Sequence, residues 1–229
     1  MTKQYHHGDL RSAVLGRAAE VIERDGPGAL SMRAIAADLG VSHNAPRYHL
    51  GGKNDVLDAL ALDGFTELGE RLDSVRAVTE VDRLVEMGVA YVEFARERPA
   101  HFALMFGPEP RDRERPEVMR AAEVSLGILR AQVRRAGLRP TEPSAGASTD
   151  DATTEHRAAA GAAAAAWGLV HGLAVLAHSG ALQNSALVEP FGGDVRELVR
   201  AAVASSRFIA PTPRDGTASS RTPTDRSNT

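Results

Sequence analysis

The sequence predicts an all-α fold, and three observations predict it. Apolar residues recur at three- and four-residue spacing in nine successive segments, which is the period of one helix face. No stretch alternates β-branched and polar residues as a half-buried strand would. Breaks such as Gly26-Pro27, Gly51-Gly52 and Gly107-Pro108 fall between the periodic segments, where they end helices and start turns.

The first helix is expected at about 9–24, with Leu10, Val14, Ala18 and Val21 on one face and Asp25-Gly26 ending it. The second covers about 31–38. Met32, Ile35, Ala36 and Leu39 lie at i, i+3, i+4 and i+7, Ser31 is placed to cap it, and Gly40 suits an end that needs positive φ. Val41 re-enters the core, and Ser42 is placed to cap a third helix, about 42–49. A long helix follows over about 54–73 with Leu57, Leu60, Gly64, Leu68 and Leu72, then one over about 80–97 with Val81, Leu84, Val85, Gly88, Val92 and Ala95. Pro99 opens a short helix containing Phe102, Leu104, Met105 and Phe106. Val118, Ala122, Leu126, Leu129 and Val133 mark a helix over about 116–136. Residues 139–154 lack periodicity and read as a loop. Helices resume at about 155–178 and 192–208, and 210–229, rich in Pro, Thr, Ser and Arg, reads as a disordered tail.

Residues 31–53, SMRAIAADLGVSHNAPRYHLGGK, form the most informative stretch. They pair a buried stripe with a helix presenting His43, Asn44, Arg47, Tyr48 and His49 and little apolar surface, the pattern of a helix-turn-helix whose second helix enters the DNA major groove. Arg suits guanine and Asn adenine, while Tyr and His suit phosphate or a thymine methyl. The bland alternative is a solvated polar helix in a structural bundle. Lys53 and Asn54 stand where a turn enters the next helix, either as a phosphate site or as ordinary capping. Tyr5, His6 and His7 precede the first helix. Two adjacent histidines without a carboxylate make a poor metal site, which leaves phosphate contact or an arm without function.

Charge agrees modestly. The net charge is −3, yet residues 1–54 hold seven Lys/Arg and five acidic residues, a net +2 that leaves −5 elsewhere, together with four of the eight histidines. A positive head on an acidic body orients a protein toward phosphate; chance asymmetry would look the same.

Aromatic residues are only 4% of the chain. Several lie beyond residue 100: Phe102 and Phe106, near Met105, and the sole tryptophan, Trp167, four residues before His171. They fit either an apolar pocket with one or two orienting polar groups or a packed core with His171 bonded to a backbone carbonyl. Residues 158–166 are alanine except Gly161, which suits a dimer seam as well as a crowded core.

Absent chemistry narrows the field. There is no cysteine, hence no disulfide, thiolate metal site or cysteine nucleophile. No glycine-rich phosphate loop, G-x-S-x-G elbow or H-E-x-x-H is present, so no enzyme, cofactor or metal is expected. The N-terminus has no signal-peptide pattern, and the alanine-rich segment, interrupted by His171, reads as a packed helix. A cytoplasmic protein is the expectation.

The order of these pieces resembles the DNA-binding region of the TetR family of bacterial transcriptional regulators. The match lies in Leu10, Val14 and Val21, in LSMRAIAADLGVS, and in Tyr48-His49-Leu50 followed by Lys53 and Leu57. Arg98-Pro99-Ala100-His101-Phe102-Ala103-Leu104-Met105-Phe106-Gly107 and Ala166-Trp167-Gly168-Leu169-Val170-His171-Gly172 look like the C-terminal half of members with a Trp…His-Gly helix. One departure stands out: the family usually has an aromatic residue where this chain has Arg47, and Tyr48 follows it.

The resemblance implies a helix-turn-helix domain over 1–53 and a ligand-binding and dimerisation domain over 54–209. It implies DNA contacts by Ser42, His43, Asn44, Arg47, Tyr48, His49 and Lys53. It also implies an effector site near Phe102, Met105, Phe106, Trp167 and His171, and a homodimer through about 157–178 and 192–208, with Val195, Leu198, Val199 and Ala202 supplying the stripe. The expected function is a repressor released from a palindromic operator by a small molecule. The alternatives are a ligand-independent regulator or activator with the same head, and an all-α enzyme or binding protein without DNA function.

Overall fold

The computed structural model of the chain describes residues 7–107, 115–137 and 151–206, with backbone alone at 7–9 and 151–155. Tyr5, His6, the 139–150 part of the expected loop and the 210–229 tail lie outside the described residues. Helices are the only regular structure among those described: α1 (His7–Asp25), α2 (Met32–Asp38), α3 (Ala45–Leu50), α4 (Lys53–Ser74), α5 (Glu80–Glu97), α6 (Pro99–Phe106), α7 (Pro116–Arg135), α8 (Asp151–His178) and α9 (Val195–Ala204), with short 3-10 turns at Pro27–Ala29 and Glu189–Phe191.

The periodicity of α1 and α2 becomes a small shared core. Leu10, Val14, Ala18 and Ile22 of α1 are buried with Ile35 and Ala36 of α2, while Val21, Met32 and Leu39 are half-buried at its rim. Ser31 Oγ accepts the Ala34 N–H at 3.4 Å, and Gly40 takes φ 65°, as the cap and turn residues predict. Arg17 ties the two helices together through Asp38 at 2.8 Å.

Ser42 does not cap α3. It opens a turn in which its carbonyl accepts the Ala45 N–H at 3.0 Å, and the helix starts three residues later than expected. Pro46 sets that start. As the second residue of α3 it is buried, and its missing N–H falls where no intrahelical bond is made.

At about 1.5 Å per residue, α4 is a rod of about 33 Å. Its first turns bury Val56, Leu57 and Leu60, and its later ones Phe65, Leu68 and Leu72. It packs on α6 and α7, while α5 packs on α8 and α9. Close approach depends on two glycines. A Cβ at Gly64 would lie 2.7 Å from Met105 Sδ, and one at Gly88 would lie 3.1 Å from both Val170 and Val203.

Two further boundaries differ from expectation. The helix α8 begins at Asp151, taking in 151–154, where Asp and Thr suit a first turn. The helix α9 begins only at Val195, because Gly192 and Gly193 take left-handed φ of 64° and 84° and Asp194 caps the helix by accepting the Arg196 N–H at 2.8 Å. Val195, Val199 and Val203 of α9 are buried within the protomer. Val195 and Val199 therefore belong to its own core and not to a seam, which leaves Leu198 and Ala202 at the surface rim.

One face of α8 buries Ala162, Ala166, Val170, Ala174 and Ala177. The other exposes Gly168, Gly172, Val175 and Leu176. By length and composition alone His156–His178 is apolar enough to cross a membrane, with a mean hydropathy of 1.6 over an 18-residue stretch of which 28% is buried. Alanine supplies that hydropathy with little bulk.

Candidate functional site

The polar residues of α3 and of the turn before it are presented outward. Ser42, His43, Asn44 and Arg47 are exposed, and Tyr48 is 85% exposed, an unusual position for a tyrosine with no covering partner. Its ring meets His49 edge-on at 5.2 Å. Pro46 and the half-buried Leu50 anchor the opposite side. The result is a short helix fixed by its apolar side, with hydrogen-bonding groups directed at solvent.

The turn after α3 is tightly specified. Gly51 takes φ 83°, and a Cβ there would fall 2.2 Å from Asp55 Oδ2. That carboxylate accepts the Gly52 N–H at 2.6 Å. Asp55, not Asn54, thus caps α4 and fills the anion position expected there, which complements the helix dipole. Lys53 reaches back to the Gly28 carbonyl at 2.9 Å, so its ammonium ties the start of α4 to the 3-10 turn after α1. Arg115, the residue before α7, pairs with Asp55 and, through Nε at 2.8 Å, with Asp58, which is 3% exposed. The Asp55 carboxyl is held below its usual range, first by the hydrogen bond from Arg115 and then by the Gly52 N–H. A charged link therefore joins the start of α7 to the first turn of α4, next to the exposed helix.

Farther along α4 lies a cavity of about 240 Å³. Phe65, Leu68 and Leu72 of α4 form one wall, with Tyr91 of α5, Leu129 of α7 and Trp167 of α8 opposite. It meets solvent where Met119, Leu126 and Trp167 remain 56%, 37% and 40% exposed. Of the residues expected at a pocket, Phe106 and Trp167 line it. Phe102 and His171 form a layer behind, their rings 5.5 Å apart. Met105 turns away, its sulfur lying against Gly64. On α6, Phe102 and Phe106 share one face by their four-residue spacing, and Met105 falls on the neighbouring face toward α4.

Tyr91 organises the polar end. Trp167 Nε1 donates to its oxygen at 3.3 Å, and the same hydroxyl shares a hydrogen bond of 2.9 Å with His171 Nδ1. Desolvation moves the Tyr91 phenol well above its ordinary value and His171 below its own. His171 is therefore bonded to a side chain and not to the backbone carbonyl that a packed core suggested. Ser125 also borders the cavity, but its hydroxyl donates to the Phe65 carbonyl at 2.8 Å. The cavity is thus largely apolar, with the Ser125 hydroxyl already donating and the Tyr91 hydroxyl bonded to His171.

Sequence reasoning missed Tyr91 and Phe65. The signal was present in α5: Leu84, Gly88 and Tyr91 fall at i, i+4 and i+7, which puts a polar-tipped aromatic on an apolar stripe.

Comparisons bear on both regions. The family model described as the C-terminal domain of Tetracyclin repressor-like proteins matches residues 84–205. A protein of unknown function from Rhodococcus sp. RHA1 has a solved structure with 31% identity, covering 88% of this chain and 95% of that one, with a TM-score of 0.67. The TetR-family regulator PfmR from Thermus thermophilus is 21% identical over 83% of this chain and 94% of its own, with a TM-score of 0.56. An HTH-type transcriptional regulator of Mycobacterium tuberculosis is 27% identical over 132 residues, 54% of this chain. The chain spans 56% of the length of that curated relative.

Proposed function

The chain belongs to the TetR family of transcriptional regulators, and from that premise we propose that it is a homodimeric repressor released from its operator by an apolar small molecule. The observation that carries this reading is the double duty of α4. Its first turn, capped by Asp55, follows the exposed helix α3, and its later turns wall the cavity through Phe65, Leu68 and Leu72.

In this reading α3 enters the major groove, with Arg47 and Asn44 toward base edges and Ser42, His43, Tyr48, His49 and Lys53 toward phosphate or thymine. Two heads related by a two-fold would contact half-sites about one helical turn, roughly 34 Å, apart. The partner is a second copy of the chain, docked on the apolar outer face of α8 and on Leu198 and Ala202 of α9. That face is helical, free of charge from Ala158 to Ala177, and shallow enough for close approach.

A ligand in the cavity would press α7 away from α4. Arg115 would transmit the shift to Asp55 and Asp58, and the heads would leave the spacing DNA needs. Derepression requires the ligand to bind the two arrangements with different affinity. The apolar lining, with the hydroxyls of Tyr91 and Ser125 already hydrogen-bonded, favours a hydrocarbon-like effector with at most one N–H or O–H of its own.

The test is selection of bound fragments from genomic DNA, followed by footprinting. A protected, near-palindromic site supports the reading, and binding indifferent to sequence refutes it. For the effector, N-phenyl-1-naphthylamine serves as a probe, being apolar with one N–H. It is expected to quench Trp167 and to lower operator affinity by the same factor by which operator lowers probe affinity. Probe binding without any effect on operator affinity would favour a ligand-independent regulator.

A further inference from the structure

We propose that the cleft between α1 and the α4–α6 pair is a second binding site, for a small organic cation bearing a primary amine. The cleft has a volume of about 420 Å³ and lies on the head side of the molecule, walled by Arg11 and Glu23 of α1, Asp63 of α4 and His101 of α6. It shares no lining residue with the apolar cavity.

His101 is the residue that points to a ligand. It is only 9% exposed, yet its ring nitrogens make no hydrogen bond among the described residues. Its nitrogens are not closed off from solvent as the Asp58 oxygens are, so the buried ring opens its polar edge to the cleft, where a ligand would replace water. Its backbone is fixed by close packing, since a Cβ at Gly64 would lie 3.1 Å from His101 Cβ, so the ring cannot simply withdraw. Burial first, and Arg98 second, hold it below its ordinary value. At neutral pH it offers an imidazole acceptor to the cleft.

The charges around it select the sign of the ligand. Glu20 is paired with Arg17 at 2.7 Å, Glu97 with Arg71 at 2.6 Å and Arg98 with Glu67 at 2.6 Å. Glu23, Asp63 and Arg11 form no ion pair among the described residues, so two carboxylates face one guanidinium. An ammonium group is complementary to that surplus and has three N–H donors, enough for both the imidazole and the Asp63 carboxylate. No group of three His, Cys, Asp or Glu side chains with metal-binding geometry is found among the described residues, which favours an organic cation over a metal ion. Because one wall belongs to α1 and the other to α4 and α6, an occupant would touch head and body together and fix the angle between them.

The experiment titrates spermidine into the full-length protein by calorimetry at about pH 7.5 and low salt, with sulfate as the control. One saturable event per chain is expected, weakened about tenfold or more by Asp63→Asn and by His101→Leu. Both variants should retain N-phenyl-1-naphthylamine binding. Spermidine should also shift the His101 imidazole resonances in NMR, a readout that does not depend on a variant folding. No saturable binding up to about 10 mM overturns the proposal. So does equal affinity in wild type and Asp63→Asn, the mark of diffuse attraction to an acidic surface, and so does sulfate binding at the cleft. None of these measurements involves DNA, so failure here leaves the repressor reading intact.

Discussion

Arg47 and Tyr48 stand side by side on the exposed face of α3, and the two are separable by experiment. A guanidinium that grips guanine carries sequence information, whereas a phenol on phosphate does not. Arg47→Ala is expected to cost about 1–3 kcal/mol at one position of each half-site and to relax base preference there. Tyr48→Ala should weaken all sites alike, as measured by binding to single-base operator variants. If Arg47→Ala left both affinity and preference unchanged, base reading would pass to Tyr48 or Asn44. Gly51 makes a stability prediction. An alanine there meets both an unfavourable φ of 83° and the Asp55 carboxylate at 2.2 Å, so Gly51→Ala should lower the melting temperature and weaken DNA binding together. His171 gives a pH dependence. Its folded value lies below the ordinary 6.5 because of desolvation, so above about pH 6.5 both folded and unfolded states hold it neutral. As pH falls below that, the unfolded chain takes up the proton first, and stability is lost down through the folded value. His101 acts in the same direction. Chemical denaturation from pH 7 to 5 should show this fall, and His171→Phe should flatten it.

At the scale of elements, α4 and α7 form the pair on which coupling would depend. Arg115→Ala removes the link from α7 to Asp55 and Asp58, and it leaves the Asp58 carboxylate buried at 3% exposure. The variant is expected to bind N-phenyl-1-naphthylamine as wild type does, while the probe loses most of its effect on operator affinity. Unchanged coupling would assign the transmission to packing alone. Ala122→Phe on α7 should fill the cavity and abolish probe binding without weakening operator binding. The helices themselves were largely legible from sequence, because each combines a long period-3.6 stripe with a Gly or Pro break, as at Gly40 and Gly107-Pro108. What escaped notice was long-range or local in a way periodicity does not encode. The late start of α3 follows from where Pro46 sits in the first turn. Tyr91 and His171 are 80 residues apart, and their bond exists only once α5 meets α8. Phe102 and Met105 share a short apolar helix on which every residue looks equally suited to a pocket; only the packing of α6 on α4 decides which one turns away.

For the whole molecule, two surfaces set the expected behaviour in solution. Operator affinity should fall steeply with added salt, because phosphate contacts release counterions; a flat salt response would argue against the DNA reading. Dimerisation should rest on the outer face of α8. Gly172→Glu together with Leu176→Glu is expected to place unpaired charge in the seam and give a folded monomer in sedimentation, whereas Val199→Glu would disrupt the protomer itself. An unchanged dimer in the double variant would place the seam elsewhere. In the proposed dimer both faces of α8 are committed, with Ala166, Trp167 and Val170 toward the cavity and Gly168, Gly172, Val175 and Leu176 away from it. In mutational terms the helix has little slack: enlarging an alanine inside would crowd α5, and enlarging a glycine outside would push the partner copy away. New ligand preferences would then arise mostly on the opposite wall, at Leu68, Leu72, Ala122 and Leu129, where side chains touch the cavity and no subunit boundary. A library randomised at those four positions should yield altered specificities far more often than one randomised along α8.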